Sequence, residues 1–266
     1  RMYEFGDAPE GALAYPSSGT SGKFPTCKVA GPAGYIQHGS QGRTFLGPDF
    51  DYETDGNGGK CPSFNPDAYN NDETSGDGDC GIVADLFTIQ GSAGSETVVP
   101  LISGHEDAIG ETCEIAQWGK NLNLWWDTDN PNGAYVNVII DWNQDGEWGG
   151  FVVCPNSTGA YASEHILQNF YVPAGNGYLS VLNPPNFQIG ANEGYVWARF
   201  TITNEEIEGT WHGEGEFDNG ESEDHLLRIS RAPLRFDYGD APIGYRTMQT
   251  DSGARHLVSS NVYLGK

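Results

Sequence analysis

The chain has 266 residues, of which 37 are Asp or Glu and 13 are Lys or Arg, for a formal net charge of -24. Such a surface repels phosphate backbones and anionic lipid, which excludes nucleic acid and acidic membrane as natural partners. Divalent cations are the natural partners instead, since they take oxygen ligands and relieve the repulsion; plain solubility or adaptation to salt is the bland alternative.

Hydrophobic residues make up 37% of the chain, enough for a sizeable core. Glycine (37), proline (15), tyrosine (13) and tryptophan (7) are abundant, a mixture that suits short strands, tight turns and long irregular loops. No apolar run approaches the roughly 18 residues of a membrane span. The chain opens on Arg1 rather than an initiator methionine, which fits removal of an upstream piece.

In chain order, the first signal is a motif that returns at the far end. "YEFGDAPEG" near the start corresponds to "FDYGDAPIG" near the end, so Asp7, Ala8 and Pro9 match Asp240, Ala241 and Pro242. "YIQHGSQGRTFLG" corresponds to "GARHLVSSNVYLG", which pairs His38 with His256 and Phe45 with Tyr263 at the same spacing. Two blocks matching in order mark a slice from an array of modules. The expected organisation is a loop-rich acidic module over 1–95, a β-sandwich over 96–232, and the start of a second copy of the first module over 233–266.

Between these blocks, "GPDFDYETDGNGGKCPSFNPDAYNNDETSGDGDC" holds nine acids and one lysine and reads as loop. "GIVADLFTI" then reads as a strand entering a core. Further strands are predicted over 98–102, 111–117, 121–126, 134–140, 151–154, 164–172, 178–182, 195–203 and 225–229. Leu122, Leu124 and Trp126 alternate, as do Val136, Val138 and Ile140, and Val196, Ala198, Phe200 and Ile202. This rhythm predicts an all-β fold, an antiparallel two-sheet sandwich of Ig-like or jelly-roll-like kind, with the acidic N-terminal module tied down by disulfides and calcium.

None of the five cysteines (Cys27, Cys61, Cys80, Cys113, Cys154) forms a C-x-x-C pair, so a thiolate zinc site or thioredoxin-like motif is not indicated. Thiols in polar, glycine-rich surroundings such as "GGKCPS" and "GDGDCG" favour disulfides and hence an extracellular or cell-surface setting. The connectivity stays open; Cys61 with Cys80 and Cys113 with Cys154 are the preferred pairs.

The sharpest local motif is "DWNQDGEW". Asp141, Asn143 and Asp145 occupy positions one, three and five of a tight loop, Gly146 permits the turn, and Glu147 follows. Side-chain oxygens at this spacing converge on calcium. The later positions fall on Gly150 and Val152, so chelation needs a ligand from elsewhere; a plain Asx turn is the alternative. A second acidic cluster, "GEGEFDNGESED", offers Glu216, Asp218, Glu221, Glu223 and Asp224, in part for the same ion. Asp51 and Asp55, with Asp77 and Asp79, form a third candidate group.

"VIIDWNQDGEW", "FYVPAG" and "GEGEFDNGESEDHLLRI" resemble the GEVED domain, with "GESED" standing where that motif would lie. The flanking GDAP and YLG-type acidic blocks resemble repeats beside such domains in large bacterial surface proteins. The resemblance implies a secreted or cell-surface location, calcium ligation by Asp141, Asn143 and Asp145, and no common catalytic activity.

No H-E-x-x-H, G-x-S-x-G or nucleotide-binding glycine motif is present, and the six histidines are scattered. The sequence therefore reads as a non-catalytic structural or adhesive module stabilised by Ca2+. Its expected partners are adjacent modules of the same kind, in cis or between chains, or a glycan or protein surface ligand. A carbohydrate-binding module is the alternative, with Trp142 and Trp148 as candidate glycan contacts. An accessory domain of a secreted protease or glycosidase, or a filament subunit, ranks lower. Asn156 in "CPNST" meets the glycosylation pattern.

Overall fold

A turn joins the two layers of the core. Asn130, followed by Pro131, accepts a hydrogen bond from the Asn132 N–H and donates from its amide to the Gly133 carbonyl. Gly133 closes the turn at a φ of 75°, a conformation glycine adopts without strain. The strands on either side, Leu122–Thr128 and Ala134–Ile140, thereby enter different sheets.

The computed structural model describes residues 3–15, 18–29, 31–39, 42–47, 52–59, 61, 82–84, 88–90, 97–99, 108–155, 160–231, 236–238 and 255–257. Candidate ligands Asp51, Asp77 and Asp79, together with Cys80 and Asn156, lie outside the described residues.

The fold is all-β and sandwich-like. One sheet orders Gly175–Tyr178, Leu122–Thr128 and Thr44–Leu46, with Ile82–Ala84 also pairing on Leu122–Thr128. The facing sheet orders His165–Val172, Ala134–Ile140, Gly194–Thr203 and Gly220–Ile229, all antiparallel. The three alternating sets read from the sequence all point into the space between the sheets, with Leu46, Leu167, Leu227 and Ile229. Burying this apolar surface is the main driving force for folding.

The second sheet is buried on both faces. Ile139, Trp197 and Arg199 point away from the sandwich core yet are buried. They are covered by the N-terminal residues Ala8, Ala14, Tyr15, Phe24 and Ile36, with Trp148 and Trp211. Tyr3–Phe5, Ile36–Gly39 and Gly215–Phe217 form a further sheet on this side. Among the described strands, backbone pairing crosses the 95/96 position four times, at Ile36–Gly39, Thr44–Leu46, Ile82–Ala84 and Thr88–Gln90, and the Thr44–Leu46 pairing makes part of the N-terminal segment integral to the sandwich.

Three local expectations change. The 178–182 strand is replaced by a 3-10 helix, Leu179–Leu182, after a strand that ends at Tyr178. The 111–117 strand contracts to Ile115–Ala116. "GESED" does not lie in a turn before the last strand: it opens the ten-residue strand Gly220–Ile229, whose register with Gly194–Thr203 is unbroken.

Cys61 pairs with Cys27, not with the expected Cys80. The Asp55 carboxylate accepts the Lys28 and Val29 N–H groups at 2.7 and 3.2 Å, drawing the short helical turn Gly56–Gly59 onto the segment that holds Cys27. Cys113 pairs with Cys154.

The terminal repeat is visible in the backbone. Glu4 stands opposite His38 in the pairing of Tyr3–Phe5 with Ile36–Gly39. Asp237 stands opposite His256 in the pairing of Phe236–Tyr238 with Arg255–Leu257. The two copies therefore make the same antiparallel pair in the same register.

Candidate metal centre

The Ala134–Ile140 strand delivers Asp141 into the interior at the mouth of the 141–150 loop. Its side chain is fully buried. Oδ1 accepts the Asp145 N–H at 3.2 Å, and Oδ2 accepts the Gly146 N–H at 2.9 Å and the Tyr15 hydroxyl at 2.9 Å. Asn143 Oδ1 accepts the Asp145 N–H at 2.8 Å, and Asp145 Oδ1 accepts the Glu147 N–H at 2.9 Å. Positions one, three and five thus fold the loop around their own oxygens. Gly146, at a φ of 83°, is required twice over, since a Cβ there would collide with the Ser21 carbonyl.

The loop is closed by Glu164, which the sequence reading did not single out. The Ile140 N–H donates to the Glu164 carbonyl at 2.9 Å, and the Glu164 N–H donates to the Gly150 carbonyl at 3.0 Å. Both ends of the loop are therefore tied to one residue. Its side chain is fully buried, Oε2 accepts the Gly149 N–H at 2.9 Å, and Oε1 has no hydrogen-bond partner. The available signal was alternation: Ala162 and Glu164 are buried while Tyr161 and Ser163 are exposed, so Glu164 falls on the inward register.

Burial raises Glu164 to about 8, helped by the charges of Asp141 and Asp145, against the opposing N–H groups of Gly149 and Asn143. Burial likewise raises Asp141 to about 7, although the Tyr15 hydroxyl and the Gly146 N–H favour its charged form. Neither carboxyl forms an ion pair with a described basic side chain.

The other proposed ligands do not join this loop. Glu147 points outward and pairs with Lys23. Glu216 and Asp218 are exposed; Glu216 accepts the Tyr35 hydroxyl and lies 3.8 Å from Lys28. Glu221 accepts the Leu46 N–H, and Glu223 meets His225 at 3.0 Å. Asp224 is bound by Arg199, with Nε at 2.7 Å from Oδ1, and also accepts the Asp7 and Ala8 N–H groups at 2.7 Å. Asp55 is used by backbone donors, as described above. Among the described residues, no group of three or more Asp, Glu, His or Cys side chains stands close enough together to hold a metal ion.

Trp142 and Trp148, the candidate glycan contacts, are buried at 0% and 3% exposure and are not available for stacking on a sugar. Trp142 donates from Nε1 to the Ser163 carbonyl at 2.9 Å. Trp148 packs 4.4 Å from Phe24 between ring centroids, and the Arg199 guanidinium lies 4.4 Å over its ring. Both belong to the core because a ten-residue acidic loop has no other apolar anchor.

Ser222, His38 and Glu4 also stand together. Both contacts fall on the same imidazole nitrogen: Ser222 Oγ lies 2.8 Å from His38 Nε2 and Glu4 Oε2 lies 3.7 Å from it. A proton relay needs the two ring nitrogens to serve different partners, and this arrangement lacks that. Burial, then the charge of Arg199, pushes His38 down to about 3, so the ring is a neutral core residue.

No protein-family model matches the chain, and no curated protein matches it in sequence.

Proposed function

We propose that the chain is a non-catalytic extracellular structural or adhesive module, GEVED-like in its sandwich and flanked by GDAP-type repeats, that binds calcium as a stabilising ion. The observation that carries this reading is the Asp141 loop: two buried carboxyls, Asp141 and Glu164, lie near enough for the charge of one to act on the other, and neither is paired with a described basic side chain. An unpaired buried carboxylate is costly, and a hard divalent cation removes that cost. Asp141, Asn143 and Asp145 are the loop residues that would hold the ion. Disulfides at Cys27–Cys61 and Cys113–Cys154 are compatible with an oxidising compartment. The matching register of the two terminal strand pairs supports an array of like modules as partners.

Binding to the folded form alone adds RT ln(1 + [L]/Kd); at a Kd of about 0.1 mM and about 1 mM calcium this is about 1.4 kcal/mol. The test is a thermal melt of metal-stripped protein with added calcium, with magnesium and ionic-strength controls. A calcium-specific rise in midpoint is expected. An identical midpoint with and without calcium removes the ion from the function.

A further inference from the structure

We infer that Glu164, 23 residues beyond the start of the loop, is the remote acidic ligand that completes the Asp141 calcium site. The inference rests on the calcium reading above and goes beyond it by naming the residue that the loop itself lacks.

The loop supplies oxygens at Asp141, Asn143 and Asp145 and then runs into Gly149, Gly150 and Val152, which carry no side-chain oxygen. Calcium takes six to eight oxygens, so three side chains leave the shell open. Glu164 is placed to fill it. Its backbone is bonded to Ile140 and Gly150, the two residues that bracket the loop, so its Cα is held at the loop's mouth. The Gly149 N–H fixes Oε2 and thereby orients the whole group. Oε1 is left buried with no partner. A Cβ built on Gly150 would lie 3.7 Å from Glu164 Oε2 and 3.8 Å from Asn143 Nδ2, so Glu164 and Asn143 border the same space over a residue with no side chain. Native interiors rarely leave a carboxylate oxygen in this condition, and each case requires an account. A hard cation supplies one. Asp141 keeps acceptor capacity for it, since Oδ1 receives a single N–H.

The ligand class is a calcium-sized ion. The set mixes carboxylates and an amide on a glycine-rich loop, which suits a variable shell and fits the strict octahedron of magnesium poorly. Such an ion would join the Ile140–Gly150 loop to the start of the His165–Val172 strand, and so tie the two strands of the pair at one end.

The experiment uses the whole chain. Terbium is titrated in, and its emission is read through excitation of Trp142, which lies beside Asp141 in the loop. Calcium, then magnesium, is used to displace it, and thermal midpoints are taken with and without calcium. For the natural protein, sensitised emission that calcium displaces and magnesium does not is expected. In Glu164→Gln, calcium affinity falls at least tenfold, while the metal-free midpoint is equal to or above that of the natural protein because a buried ionisable group is replaced by a neutral amide of the same shape. A merely structural glutamate would instead lower the metal-free midpoint. Unchanged calcium affinity in Glu164→Gln overturns the inference and leaves the calcium function standing; absence of calcium binding in the natural protein removes both. If Glu164→Gln does not fold, Glu164→Asp decides: weaker calcium binding with an intact melt supports the ligand role, and wild-type affinity overturns it.

Discussion

Two buried acids in this protein solve the same problem in different ways. Asp224 and Asp141 are both interior carboxyls: one lies in Gly220–Ile229 and the other just follows Ala134–Ile140, the two strands that flank Gly194–Thr203 in one sheet. Asp224 is met by Arg199 and by the N–H groups of Asp7 and Ala8. Arg199 in turn gives its Nη1 donors to the Pro25 and Gly213 carbonyls, each at 2.6 Å, and an Nη2 donor to Thr26 Oγ1 at 3.4 Å. This charge is neutralised from within. Asp141 has a hydroxyl and two N–H groups, but no cation, and its neighbour Glu164 has an oxygen with nothing at all. Acid density therefore says little about where an ion binds. The GESED cluster is the denser of the two in sequence, and its acids already have partners within the fold.

The comparison can be broken first at Arg199. Arg199→Met strands the Asp224 charge in the interior and should cost about 3–5 kcal/mol in chemical denaturation. Calcium should not restore the loss, and Asp224→Asn added to Arg199→Met should recover part of it. Full rescue by calcium would mean that the two acids are interchangeable after all.

Next in size is Tyr15→Phe. The hydroxyl donates to Asp141 at 2.9 Å and accepts the Trp197 N–H at 2.9 Å, so its removal leaves two buried groups short of a partner. The expected loss is about 1–3 kcal/mol in the metal-free protein. It should be smaller with calcium bound, because the ion takes over at Asp141.

The pH dependence is expected to be smaller because its parts oppose. Asp141 and Glu164 hold protons up to about 7 and about 8 in the folded state, whereas the unfolded chain releases them near the ordinary carboxylate range. Their contribution is present at low pH and lost as pH rises from about 4 to about 8. His165, pushed down to about 4 by burial, and His38 act in reverse. They lose stability as pH falls below about 6.5, where the unfolded imidazole takes up a proton. Below about pH 6.5 the two sets largely cancel; above it only the carboxyls act, buried Glu4 among them, so the thermal midpoint of metal-free protein should fall from about pH 6.5 to about pH 8, and saturating calcium should flatten that decline. A midpoint that rises steadily to pH 8 without metal would contradict the raised carboxyls.

The smallest effect is expected at Lys23, whose pair with Glu147 lies at the surface of the same loop. Lys23→Ala should leave both the melting midpoint and the calcium response unchanged, since exposed pairs contribute little. A lost calcium response would bring Glu147 into the site.

Much of the sandwich was legible because alternation is a one-dimensional signal. Leu122, Leu124 and Trp126 announce an inward face whatever covers it. The covering of the opposite face was not legible. Trp197 and Arg199 are buried by Tyr15, Phe24 and Thr26, which are more than 170 residues away in the chain. GESED falls outside the predicted 225–229 strand because acids argue against a buried strand, and it is partners remote in sequence, Arg199 and residues of the N-terminal segment among them, that make that strand possible. At the candidate site, the spacing of Asp141, Asn143 and Asp145 was legible and Glu164 was not, because a remote ligand has no fixed distance in sequence. The Cys27–Cys61 pairing depended on Asp55 capturing the Lys28 and Val29 N–H groups, which no spacing reveals.

The bonds between the first residues and the Gly220–Ile229 strand impose an order in time. Asp7 meets Asp224 across 217 positions, and Glu4 meets Ser222 across 218. The beginning of the chain is synthesised first, yet its acceptor at Asp224 comes last, after the strands that position Arg199. Until then the early segment has its local hairpin of Glu10–Tyr15 with Thr20–Lys23 but not the surface it finally covers. Loop closure over such a span is slow and is rewarded only at the end. The GDAP segment is therefore expected to dock late in folding, and mutations at Asp7, Ala8 or Asp224 should act mainly on the unfolding rate.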